Sequence, residues 1–176
     1  MGGGEDKEIV LSAEVIRQRV ETLGQQISKD YAGRELVLVG ILNGAFIFLA
    51  DLARAICIPH QIDFIRVASY GQSSASSGSV QLRKDVELPL ENKAVLLVED
   101  IIDTGVTLSW LLEHFRRRAD SVGICALIDK TERRQVPLTA DYVGFQVPQG
   151  FLVGYGLDFA ERHRHYPAVY SLTVSH

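Results

Sequence analysis

The stretch Glu99-Asp100-Ile101-Ile102-Asp103-Thr104-Gly105-Val106-Thr107 holds the side chains best suited to chemistry. Two carboxylates close an apolar strand, and an Asp-Thr-Gly-x-Thr turn then opens a helix. Backbone N–H groups at a helix start are donors for a phosphate, and Gly105 lets the backbone approach it closely. Thr104 and Thr107 add hydroxyl donors. The Gly-Lys-Ser/Thr signature of a nucleoside-triphosphate loop is missing, so the turn is of another kind.

Three carboxylates beside a phosphate repel it, by about 1 kcal/mol at ~4 Å in water and by several times more at lower dielectric. The conflict disappears if Glu99 and Asp100 face the hydroxyls of a sugar or a divalent cation such as Mg²⁺, which takes carboxylates together with substrate oxygens. The ligand implied is a phosphorylated sugar with a metal. A plainer alternative makes the acids solvated loop residues and the threonines helix caps.

These residues need a scaffold. The chain has 176 residues, of which 47% are apolar and 23% charged, which suits one domain with one substantial core over residues 1–176. With 18 basic and 22 acidic residues the formal charge is −4, which argues against nucleic-acid or anionic-membrane binding by bulk attraction. Cys57 and Cys125 lie in apolar stretches and read as reduced core residues. Residues 1–8 are expected to fray as a flexible tail. The start shows no basic-then-apolar leader, and the longest apolar run, Leu36–Ala50, falls short of the ~18 residues of a membrane span. A cytoplasmic protein is expected.

Ser12 caps a predicted helix with Ile16, Val20, Leu23 and Ile27 on one face. Leu36–Leu42, Ala94–Val98 and Ser121–Ile128 read as strands buried on both faces, and Gln61–Ala68 as a further strand. Helical spacing follows in Ala45–Ile56 and through Leu108, Leu111, Leu112 and Phe115. Residues 69–79, with six serines and two glycines, read as a mobile loop, with a returning strand at Val80–Leu82. Tyr142–Val147 and Phe151–Val153 are shorter strands. Alternating strands and helices predict an α/β fold with a mostly parallel sheet, whose ligands bind beyond the strand C-termini. Leu42–Gly44, Glu99–Thr107 and Asp129–Lys130 then share one edge.

Val98–Thr107 resembles the phosphoribosyl-diphosphate-binding motif of the type I phosphoribosyltransferases, in the form carried by their hypoxanthine-guanine branch. Other landmarks agree in order: Leu42-Asn43-Gly44, Ser69-Tyr70 opening the loop, Asp129-Lys130, and Phe151 to Asp158 followed by Arg164. The likeness covers roughly residues 36–170 and implies a twisted, mostly parallel sheet flanked by helices, with a small hood from the chain ends.

By this resemblance, ribose 5-phosphate passes from 5-phosphoribosyl 1-diphosphate to N9 of hypoxanthine or guanine. Asp103, Thr104, Gly105, Val106 and Thr107 then hold the 5′-phosphate, Glu99 and Asp100 the ribose, and Asp103 acts as general base toward purine N7. Asn43, Gly44, Ser69, Tyr70 and Arg164 take the diphosphate, and Glu99, Asp100 and Asp158 the Mg²⁺. Lys130, Phe151, Leu152 and Asp158 frame the purine: an ammonium only donates, so Lys130 favours a 6-oxo group over the amino group of adenine. The loop closes over the site and excludes water. A homodimer or homotetramer is also implied.

Two positions depart from the pattern. Asn43 stands where many relatives carry lysine, and Val106 where many carry lysine or arginine. Two other functions keep the same motif: a non-catalytic sensor of phosphoribosyl diphosphate, and a transferase for another nucleobase. Lys130 and the Phe151–Asp158 stretch weigh against the second, and the absence of a basic cluster near the N-terminus against the first.

Overall fold

A computed structural model describes residues 6–69 and 80–173. The elements are β1 (Asp6–Leu11), α1 (Ala13–Asp30), β2 (Leu36–Leu42), α2 (Phe46–Ala55), β3 (His60–Ser69), β4 (Val80–Lys84), β5 (Ala94–Ile102), α3 (Val106–Arg116), β6 (Ser121–Asp129), β7 (Tyr142–Gln146), β8 (Leu152–Val153) and β9 (Val169–Thr173). A six-stranded sheet runs β4-β3-β2-β5-β6-β7, parallel throughout except for β4.

The apolar runs expected of doubly buried strands divide by the two-residue period of the pleat. Leu36 and Leu38 of β2, with Leu96 and Val98 of β5, face α1 and α2. Val37, Val39, Val95 and Leu97 face Leu108, Leu111 and Phe115 of α3. Ser12 caps α1 as predicted, its Oγ accepting from the Val15 N–H at 3.2 Å. Ile16, Val20, Leu23 and Ile27 are all buried. Where α1 crosses α2, a Cβ on Gly24 would lie 2.6 Å from the Ala55 Cβ, so only glycine allows that approach.

Chain-end strands form the second sheet, ordered β1-β9-β8 and antiparallel, which is the small hood. Three sequence expectations need correction. Asp6, Lys7 and Glu8, expected to fray, pair with Thr173, Leu172 and Ser171; residues 1–5 lie outside the described residues. Cys57 is exposed in the connection after α2, and only Cys125 is buried. Finally, β5 does not stop at Val98 but continues through both acids to Ile102, because Glu99, Ile101 and Ile102 keep their pairing with Ala126, Ile128 and Asp129. No helix among the described residues is long and apolar enough to cross a membrane.

Candidate active site

Parallel strands leave their C-terminal ends on one edge, and the turns after β2 and β5 meet there. Gly105, at φ +82°, turns the chain from β5 into α3. The first intrahelical bond is Ser109 N–H to Gly105 C=O at 2.9 Å. The N–H groups of Asp103, Thr104, Gly105, Thr107 and Leu108 therefore have no acceptor among the described residues, and that of Val106 has only a 3.4 Å contact to Thr104 Oγ1. Such a cradle of amides at the positive end of a helix is built for an anion.

The segment after β6 braces the turn from behind. Lys130 N–H donates to Ile102 C=O at 3.0 Å and Gln135 N–H to Thr104 C=O at 2.9 Å. Arg134 Nε donates to Asp103 C=O at 3.0 Å, and its fork also reaches Leu138 C=O and Asp129 Oδ1. The carbonyls are thus engaged by protein while the amides stay available. The Asp103 carboxylate meets Arg133 through Oδ2 at 3.2 Å, and its Oδ1 is buried without a hydrogen-bond partner. Sequence reasoning passed over Arg133 and Arg134; their one signal was a pair of adjacent arginines soon after the Asp129-Lys130 strand end, beyond Thr131 and Glu132.

At the acidic strand end, Asp100 is buried, its Oδ1 accepting from the Ile101 N–H at 2.8 Å. Glu99 Oε1 accepts from the Asp100 N–H at 3.0 Å. Burial first, and the Asp100 charge second, hold the Glu99 carboxyl well above the usual glutamate range. Two adjacent acids that resist ionising together are a poor structural element and a good place for hydroxyl groups or a cation.

Asp100 packs on Gly44, where a Cβ would lie 1.9 Å from its Oδ2, and a Cβ on Gly156 would lie 2.2 Å from the Gly44 C=O. The Asp100 carboxylate and the backbones of residues 44 and 156 leave no room for a methyl group. Gly44→Ala is expected to destabilise the fold by about 1–3 kcal/mol through overpacking. Chemical denaturation measures it, and a variant as stable as the parent refutes this packing.

Gly44, Glu99, Asp100, Asp103, Thr104, Gly105, Thr107, Asp158 and Arg164 all line one cleft of about 310 Å³. A larger groove of about 480 Å³, between α1, α2 and the 155–167 segment, offers mainly apolar side chains and none of the cradle amides. Chemistry, rather than size, selects the smaller one. On its far wall Arg164 donates to Gly156 C=O at 2.7 Å and pairs with Asp158 at 3.1 Å and Glu161 at 3.3 Å. Asp158 also accepts from the Glu161 N–H at 2.9 Å.

The other predicted residues lie outside this cleft. Val106 opens α3 and Asn43 is exposed on the turn after β2. The Leu42–Asn43 peptide is cis. Lys130 is largely buried beside β5, its ammonium 3.8 Å from Glu132. Phe151 is 50% exposed with its ring edge-on to Phe159 at 5.4 Å, and Leu152 is buried in β8. Ser69 ends β3, while Tyr70 and the rest of the expected loop lie outside the described residues. Among the described residues no three His, Cys, Asp or Glu side chains cluster as a ready metal site, so Glu99, Asp100 and Asp158 do not form one by themselves.

An amide cradle after β5, an acidic strand end and a hood made of the chain ends define a phosphoribosyltransferase-type fold. The family model described as a phosphoribosyl transferase domain matches residues 7–160. A hypoxanthine phosphoribosyltransferase of Salmonella typhimurium is 44% identical over 165 residues, covering 92% of this chain and 93% of its own. A hypoxanthine-guanine phosphoribosyltransferase of Bacillus subtilis is 43% identical over 164 residues, covering 93% and 91%. The crystal structure of a hypoxanthine phosphoribosyltransferase from Staphylococcus aureus superposes with a TM-score of 0.91 at 42% identity, covering 94% of this chain and 91% of that one. The chain belongs to the hypoxanthine-guanine phosphoribosyltransferase family, enzymes of purine salvage.

Proposed function

We propose that the protein transfers ribose 5-phosphate from 5-phosphoribosyl 1-diphosphate to N9 of hypoxanthine or guanine, giving IMP or GMP and diphosphate. The observation that carries this reading is the set of N–H groups of Asp103, Thr104, Gly105, Thr107 and Leu108, without an acceptor among the described residues, in residues that share one cleft with Glu99 and Asp100. The N–H groups and the Thr104 and Thr107 hydroxyls take the 5′-phosphate. Glu99 and Asp100 accept hydrogen bonds from the ribose hydroxyls. As the C1–diphosphate bond breaks, positive charge develops on the ribose ring, and the acids lie where they stabilise it.

The donor set fits Mg²⁺: adjacent carboxylate oxygens whose mutual repulsion a divalent cation relieves, completed by substrate oxygens in place of a third clustered side chain. Glu99 and Asp100 would hold it from one wall and Asp158 from the other. When bound, the ion neutralises charge on the diphosphate. Gly44 and Asn43, together with Ser69 and Tyr70, would offer the diphosphate backbone and hydroxyl donors, and Arg164 adds a guanidinium on the opposite wall. Asp103 accepts the proton at purine N7. Lys130 donates to O6, Phe151 supplies an exposed aromatic face for the ring, and the Leu152 backbone meets its edge. The family supports a cytoplasmic homodimer or homotetramer, a state that sedimentation measures.

Incubation with phosphoribosyl diphosphate, Mg²⁺ and each of hypoxanthine, guanine, adenine, uracil and orotate tests the reading. Nucleotide from either 6-oxopurine is the expected result. Binding without turnover points instead to a sensor, and turnover of adenine, uracil or orotate alone overturns the roles given to Lys130 and Phe151.

A further inference from the structure

The ion pair at Asp103 carries an inference that rests on the transferase reading and deepens it. Oδ1 of Asp103 is buried, so the part of this carboxylate that a ligand can reach is the oxygen held by Arg133. A purine N–H approaching that oxygen competes with a guanidinium for it. Arg133 is 52% exposed, and this pair is its side chain's one hydrogen bond among the described residues. A half-exposed, single-bonded ion pair of this kind is weak and yields to a better partner.

That partner belongs next door. The amides of the cradle begin at Asp103 itself, and a phosphate seated on them brings more charge than one carboxylate and suits a guanidinium fork. Little else on the cradle is cationic: Val106 is apolar, and the Arg164 fork is engaged by Gly156, Asp158 and Glu161. The backbone around Arg133 is pinned by the bonds from Lys130 to Ile102 and from Gln135 to Thr104, so a change of partner needs only the side chain to swing.

We propose that Arg133 is a transferable counter-ion: it masks Asp103 while the cradle is empty and passes to the phosphate when the cradle fills, which exposes the base. Masking and anion binding by one side chain make an unusual demand on its removal. Arg133→Gln has opposite effects on the two ligands, whereas a merely structural arginine would weaken both.

The test titrates the full chain, without the sugar diphosphate, with inorganic phosphate and separately with hypoxanthine, followed by NMR. In Arg133→Gln, phosphate binding is expected to weaken about tenfold and hypoxanthine binding to tighten about threefold. Arg133→Lys, which keeps the charge, restores most of the phosphate affinity. Nucleotide formation by the parent protein is assayed in parallel. An inactive parent sinks the transferase reading; an active parent whose Arg133→Gln variant shifts both affinities the same way, only one, or neither overturns the exchange.

Discussion

Asp103→Asn is expected to lower turnover by about 10²–10⁴-fold while sugar-diphosphate binding stays within about threefold. The separation follows from the geometry. The backbone N–H of residue 103 belongs to the cradle and survives the substitution, as does the carbonyl that Arg134 holds at 3.0 Å. What is lost is the charge that pairs with Arg133 and the ability to take a proton: an amide of the same shape cannot accept one from N7. Steady-state kinetics combined with direct titration of phosphoribosyl diphosphate separates the two. If binding disappears while the residual chemistry keeps the parent's rate, Asp103 is an anchor and another group is the base.

Glu99→Gln is expected to slow turnover by about 10²-fold and, unusually for a site substitution, to make the protein more stable. Burial and the neighbouring Asp100 raise the Glu99 carboxyl in the folded chain above its unfolded value. The folded state therefore holds a proton that the unfolded chain has already released, and stability falls as pH rises from the ordinary glutamate range through the raised one. Glutamine never ionises and so escapes this loss. At neutral pH, without metal, the variant should gain about 1 kcal/mol, or ~2–4 °C in Tm. The advantage should shrink as pH falls to 4 and vanish below it, where the unfolded parent also takes up its proton. A parent and variant that melt together from pH 4 to 8 would falsify the repulsion at this strand end.

How much of this was legible depends on how local the signal was. Leu36–Leu42 and Ser121–Ile128 were readable as doubly buried strands because unbroken apolar runs admit few other fates. The cradle was readable because Asp-Thr-Gly-x-Thr combines a positive-φ glycine with the start of α3. The end of β5 was not. Two consecutive acids look like the exit from a strand, and only the ladder to Ala126, Ile128 and Asp129 keeps them inside it. Asp6–Glu8 were missed for a similar reason: their pairing partners lie at the other end of the chain, in β9. The brace from Arg134 and the pairing of Arg133 with Asp103 depend on where the segment after β6 folds back, which no spacing rule gives. Gly156 is identifiable only in three dimensions, since its requirement comes from the Gly44 carbonyl.

That contact has a practical side. The turn that would grip the leaving group and the turn that leads to Asp158 touch backbone to backbone, with glycine on both sides. Anyone seeking to broaden the range of acceptor bases by inserting or reshaping residues at 154–158 would shift the donor pocket in the same stroke. Libraries confined to Phe151, whose half-exposed ring lies edge-on to Phe159, leave the backbone of that junction unaltered and offer the safer route to altered selectivity.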